Sequence, residues 1–111
     1  MLEIRQRIQP LKDHITDLVR QKIPSHNKHQ MAWRETITGL AVVLIDAPKH
    51  WPITHGDVLG GIKEVQRSIQ SSTRVGGKLQ TMARYGFFTY DKGNYFLKIE
   101  LPGELLGNQE A

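Results

Sequence analysis

Apolar positions recur along this chain with a helical period in its first three quarters and with strict alternation in part of the last. At the N-terminus Ile4, Ile8, Leu11, Ile15 and Leu18 follow one another at heptad spacing, with Glu3, Arg5, Arg7, Lys12, Asp13 and Asp17 around them. The pattern predicts an amphipathic helix. Pro10 falls inside it, and a proline there deletes a backbone hydrogen bond at a cost of about 3 kcal/mol. Either a kink or a helix starting near Pro10 is therefore expected. The stripe is too short for a free coiled coil, so it must be buried on the rest of the domain or on a second copy. We expect a homodimer through this face.

Ile23 to Gln30, IPSHNKHQ, reads as a helix stop and a loop. Trp33, Ile37, Leu40 and Leu44 then share one helical face, and Val42, Val43 and Ile45 fill the others, which marks a central element. GLAVVLID could alternatively be a buried strand, but its length and spacing favour a helix. APKHW, Ala47 to Trp51, ends it. Thr54 is a candidate N-cap for a short helix through His55, Asp57, Val58, Leu59 and Ile62, with Asp57 favourable in the first turn. Gly60 and Gly61 are expected to end or bend that helix, which would resume from Lys63 to Ile69. Gln70 to Ser72 supply a turn and a cap.

The segment Ser72 to Tyr85 is the most informative. Val75, Leu79, Met82 and Gly86 fall on one side of a helix, with Ala83 beside them, while Arg74, Gly77, Lys78, Thr81, Arg84 and Tyr85 spread over the other. Two glycines in a helix interior each cost about 1 kcal/mol relative to alanine. Gly76, near the apolar flank, is expected to let a neighbouring helix pack close. Gly77 lies amid the basic residues, where it either serves helix packing too or lets a partner approach the backbone. Gly86 suits a helix C-terminus. FFTY and YFLKIEL alternate around the turn formers Asp91, Lys92, Gly93 and Asn94, predicting a β-hairpin tipped by Lys92. Pro102 and Gly103 close the second strand, and the remainder is a short helix or a tail. The expected fold class is mainly α with a small β-hairpin (α+β).

Composition narrows the function. The chain has 111 residues, 39% hydrophobic and 23% charged, as an ordinary globular domain does. It holds no apolar run of membrane-spanning length and no secretory block at its start, and no cysteine, so a cytoplasmic location is the default. The net charge is only +4, but from Val65 to Arg84 the chain carries Arg67, Arg74, Lys78 and Arg84 without an acid, whereas beyond Ile99 it carries acids alone. A basic stripe coinciding with one helix points to a polyanionic partner. The five histidines lack metal-ligand spacing and read as surface residues, so no metal or cofactor is expected. No nucleophile elbow, P-loop or dinucleotide fingerprint occurs, and we expect no enzyme.

The run of helices ending in a basic helix and a hairpin resembles the winged helix-turn-helix superfamily, through SSTRVGGKLQTMARYGFFTYDKGNYFLKI, Ser71 to Ile99. Ser72, Thr73, Leu79, Met82, Gly86, Phe87 and the pair Phe88 and Tyr95 fit its places, and Trp33 to Asp46 would be its first helix. The resemblance implies a winged helix-turn-helix at 30–103; the N-terminal helix and loop at 1–29 precede it as the candidate dimerisation arm that the heptad stripe suggests, and a tail follows at 104–111. It further implies a transcriptional regulator, nucleoid-associated, that sets helix 72–85 in the major groove of double-stranded DNA and uses hairpin 87–101 as a wing. Arg74 would read guanine and Thr81 a base edge or thymine methyl. Arg67, Lys78, Arg84 and Lys92 would hold phosphates, as would Ser71, Ser72 and Thr73 at the helix N-terminus, and Gly77 would permit close approach. Two copies would address half-sites about one DNA turn apart. A protein-interaction module within a larger assembly, and a nucleic-acid binder of low specificity, are the alternatives.

Overall fold

A computed structural model describes residues 3–24, 27–45 and 52–106. Four helices and a small sheet follow one another: α1 (Ile4–Lys22), α2 (Gln30–Ile45), β1 (Ile53–Thr54), α3 (His55–Val65), α4 (Ser72–Arg84), β2 (Phe88–Asp91) and β3 (Asn94–Leu97). The chain is thus mainly helical with a small antiparallel sheet, the class expected. A 3-10 turn at Gly103–Leu105 follows the sheet. The end of the second helix at APKHW, together with His26, His50 and the last tail residues 107–111, lies outside the described residues.

α2 is the hub because it is apolar nearly all round: Trp33, Ile37, Leu40, Ala41, Val42, Leu44 and Ile45 are all buried, and α1, α3 and α4 pack on it from different sides. α1 lays Ile8, Leu11, Ile15, Val19 and Ile23 into the same core as Val58, Ile62, Val75, Leu79, Met82 and Phe87. This corrects two expectations. The N-terminal segment is no separate arm, and its stripe is not free to pair two copies, since Ile8, Leu11 and Ile15 are at most 1% exposed within one chain. Ile4 and Leu18 are half-buried against the same core. Nor does a new helix start at Pro10: α1 begins six residues earlier and runs through it. Pro10 lies on the exposed side, where the carbonyl it leaves unpaired can meet water.

The helix α3 starts as expected and ends differently. Thr54 caps it reciprocally: its hydroxyl accepts from the Asp57 amide at 3.1 Å, and the Asp57 carboxylate accepts from the Thr54 amide at 2.9 Å. The helix then passes unbroken through Gly60 and Gly61 to Val65, rather than breaking there and resuming to Ile69. The reason is a crossing with α2. A Cβ on Gly61 would stand 2.6 Å from the Gly39 carbonyl oxygen, and one on Gly39 would collide with the Val58 carbonyl, so the two backbones touch where both residues lack side chains. The helical penalty of Gly61 is offset by that packing.

α4 closes in a Schellman motif. Gly86 takes φ +92°, its amide donates to the Ala83 carbonyl, and the Phe87 amide donates to the Met82 carbonyl at 2.9 Å. Phe87 is thereby turned into the core, fully buried, and the chain enters the hairpin. β2 and β3 pair Phe88 with Leu97 and Tyr90 with Tyr95 across a two-residue turn, Lys92 at φ 50° and Gly93 at φ 88°. Two successive positive φ values match the right-handed twist of a hairpin. β3 stops at Leu97, short of the expected Leu101. β1 joins its other edge, Ile53 opposite Tyr95, giving the order β1-β3-β2.

Candidate nucleic-acid interface

The buried face of α4 is the one its periodicity marks: Val75, Leu79 and Met82 are sunk into the core. That fixes the rotation of the helix and turns Ser72, Thr73, Arg74, Gly77 and Arg84 into solvent, with Thr81 half-buried among them. Arg74, Gly77, Thr81 and Arg84, spaced three, four and three residues apart, form one row. A Cβ built on Gly77 would meet nothing within 4 Å, so no part of the described fold covers this face and no packing contact requires a glycine there. Gly76 is different. A Cβ on it would stand 3.2 Å from the His55 ring, so its bareness serves the contact of α4 with the start of α3.

Two of the expected phosphate ligands, Lys78 and Ser71, and the expected base contact Thr81 already have partners within the fold. Lys78 is half-buried, with its ammonium 5.1 Å from the centre of the Trp33 ring. Burial, and then the nearby Arg74, hold its pKa below the usual lysine range. It contributes charge at the edge of the face and is tethered over an aromatic ring. Ser71 is the N-cap of α4, but its side chain caps nothing and its amide is taken. The Thr81 hydroxyl donates to the Gly77 carbonyl at 3.0 Å, which leaves its oxygen and methyl to face a partner. Arg67 is exposed in the segment joining α3 to α4, and Lys92 is exposed at the hairpin tip.

The group that takes the Ser71 amide is Glu35, which the sequence pattern did not single out. Its carboxylate is 1% exposed in the middle of α2 and accepts from the Ser71 amide at 2.8 Å, the Gln70 amide at 2.9 Å and the Gln66 side-chain amide at 2.6 Å. One buried carboxylate therefore pins the whole turn between α3 and α4 and sets the angle at which α4 leaves it. It also puts negative charge at the N-terminus of α4, the place assigned above to a phosphate. Ser71 accordingly drops out as a phosphate ligand. The signal in the sequence was an acid within an otherwise apolar helix.

On the opposite flank of α4 a depression of about 290 Å³ opens towards the hairpin, lined by His55, Gly76, Gln80, Tyr90, Gly93 and Tyr95. The Gln80 side-chain amide donates to the Tyr95 hydroxyl at 2.8 Å, locking helix to hairpin. Tyr95 packs edge-on against Phe88 at 5.5 Å and against Tyr90 at 4.8 Å. Burial raises the Tyr95 pKa above the usual phenol value. The Gln80–Tyr95 bond thus ties the hairpin to α4, while the ring contacts brace the hairpin itself.

Comparison with protein-family models, curated proteins and solved structures returned no match. The functional reading rests on the residues themselves. Among the described residues no helix is long and apolar enough to cross a membrane.

Proposed function

We propose that this protein binds double-stranded DNA as a small transcriptional regulator, laying α4 in the major groove with the β2–β3 hairpin beside it as a wing. The observation that carries the reading is the outward row of α4: Arg74, Gly77 and Arg84 stand uncovered, with Thr81 half-buried among them and open space over Gly77. A helix face with cations at its margins and a bare backbone at its centre can approach a groove closely. An ordinary solvated face would fill that centre with alanine or a long polar residue and gain about 1 kcal/mol of helix stability. The element order, helix, short strand, helix, helix, hairpin, accords with the winged helix-turn-helix resemblance.

Within this reading Arg74 contacts a guanine edge in bidentate fashion, and Thr81 offers an acceptor and a methyl to the adjacent base pair. Arg84, Arg67, Lys92 and the hydroxyls of Ser72 and Thr73 position the duplex through phosphates. The protein acts in the cytoplasm, at the nucleoid. Gly77→Leu tests the role of the bare centre. The variant should unfold at higher denaturant, because nothing crowds a side chain there, and yet bind duplex more weakly. Unchanged duplex affinity in a stabilised Gly77→Leu protein would reduce Gly77 to a bystander and remove the reading's main support.

A further inference from the structure

α4 is not the sole source of positive charge at this face. His29 precedes α2, its carbonyl accepting the Trp33 amide at 3.1 Å, and the Trp33 ring is the one over which the Lys78 ammonium sits. The loop before α2 and the first turns of α4 therefore meet around Trp33. His29 is exposed, and its backbone is held at φ 57°, in the left-handed region. Arg74 first, then slight desolvation, then Lys78 and Lys28 hold its imidazole below the ordinary histidine pKa. Among the described residues no carboxylate acts on His29 or pairs with Lys28 or Arg74. Among the described residues Lys28, His29, Arg74 and Lys78, from segments 45 residues apart in sequence, make a basic cluster with no carboxylate partner. Like charges gathered without acids weaken the folded chain, and a polyanion on them turns that repulsion into attraction.

We propose that the Lys28–His29 segment is a second part of the DNA-binding surface, holding a backbone phosphate beside the strand that α4 contacts. This extends the reading above and rests on it. The ligand class follows from the chemistry. Lys28, His29 and Arg74 are exposed and Lys78 is half-buried beside them, a multivalent arrangement that fits the phosphates of a nucleic-acid strand. The positive field of Arg74, Lys78 and Lys28 that holds the His29 pKa down is partly offset by a bound phosphate, which favours the protonated imidazole. Affinity therefore rises as pH falls through the range in which the histidine titrates, by at most about tenfold per pH unit for one linked proton.

The test is duplex binding measured against salt and pH for the full chain, for Lys28→Ala, and for His29→Asn, asparagine being tolerant of positive φ. Lys28→Ala should make the slope of log affinity against log salt shallower by about 0.9. His29→Asn should keep the parent's affinity at pH 8 and lose the part of the acid-side gain that the parent shows. Should the parent bind duplex while both variants keep its salt slope and pH profile, the segment plays no part and the proposal falls alone. Should the parent bind no duplex at any salt, the reading of α4 falls and takes this one with it.

Discussion

Removing the Glu35 carboxylate should loosen the joint that aims α4, and the structure allows the cost to be worked out. Glu35→Ala deletes an acceptor that serves two backbone amides and one side-chain amide. Gln66 can turn to water, and its amide already has a second acceptor in the Ser68 carbonyl. The Gln70 and Ser71 amides cannot turn away without moving the chain. A stranded, partly buried backbone donor costs about 1–3 kcal/mol, and both amides are partly reached by solvent, so the loss should be about 2–4 kcal/mol. A domain of this size loses about 4–8 °C of melting temperature per kcal/mol, so the shift is easily measured. Urea unfolding gives the free energy, and amide exchange at Gln70 and Ser71 locates it: both should exchange faster in the variant, while amides in α1 keep their order of protection. Glu35→Gln retains one acceptor oxygen and should fall between variant and parent. A Glu35→Ala protein within about 0.5 kcal/mol of the parent would refute the assignment of Glu35 as the anchor of this turn, because that is the effect of an ordinary surface substitution.

Two further substitutions probe the packing. Gly39→Ala should cost about 1–3 kcal/mol in urea unfolding, since its methyl group meets the Val58 carbonyl of α3, while Gly60→Ala, with nothing within 4 Å, should stabilise by up to about 1 kcal/mol. Equal effects at the two sites would mean that the α2–α3 backbone contact is not tight. Ile15→Ala should cost about 2–5 kcal/mol without changing the mass seen by light scattering, because Ile15 is buried within its own chain. A dimeric parent that becomes monomeric on this substitution would reverse that assignment.

The elements that a helical period, a cap residue or turn chemistry favoured were legible from residue types alone. The α4 face, the all-round burial of α2, the Thr54 cap and the hairpin turn at Lys92–Gly93 all belong to this group. What was hidden depends on partners distant in sequence. The Ile8, Leu11, Ile15 stripe looks alike whether α2 or a second copy covers it, and only the fold decides that it is α2. The pair Gly60 and Gly61 looks like a break until Gly39 is brought opposite Gly61. β1 spans two residues, too few to alternate, and is a strand because Tyr95 and Asn94 lie beside it. Glu35 could be noticed as an acid in an apolar run, but its role requires knowing that the turn at Gln70 and Ser71 folds back onto it. In the candidate interface, the exposure of Arg74, Gly77 and Arg84 follows from the local period, whereas the tether of Lys78 on Trp33 and the approach of His29 to α4 are products of the tertiary fold.

The central claim, that the outward row of α4 reads duplex DNA, is tested most directly by selection from a randomised duplex pool with the parent protein and Arg74→Ala side by side. The account predicts an enriched sequence for the parent, and for Arg74→Ala the same sequence with preference relaxed at one base pair and affinity weaker by about 1–3 kcal/mol. A parent that enriches no sequence, or an Arg74→Ala protein that selects the parent's site with undiminished preference at every position, would contradict it.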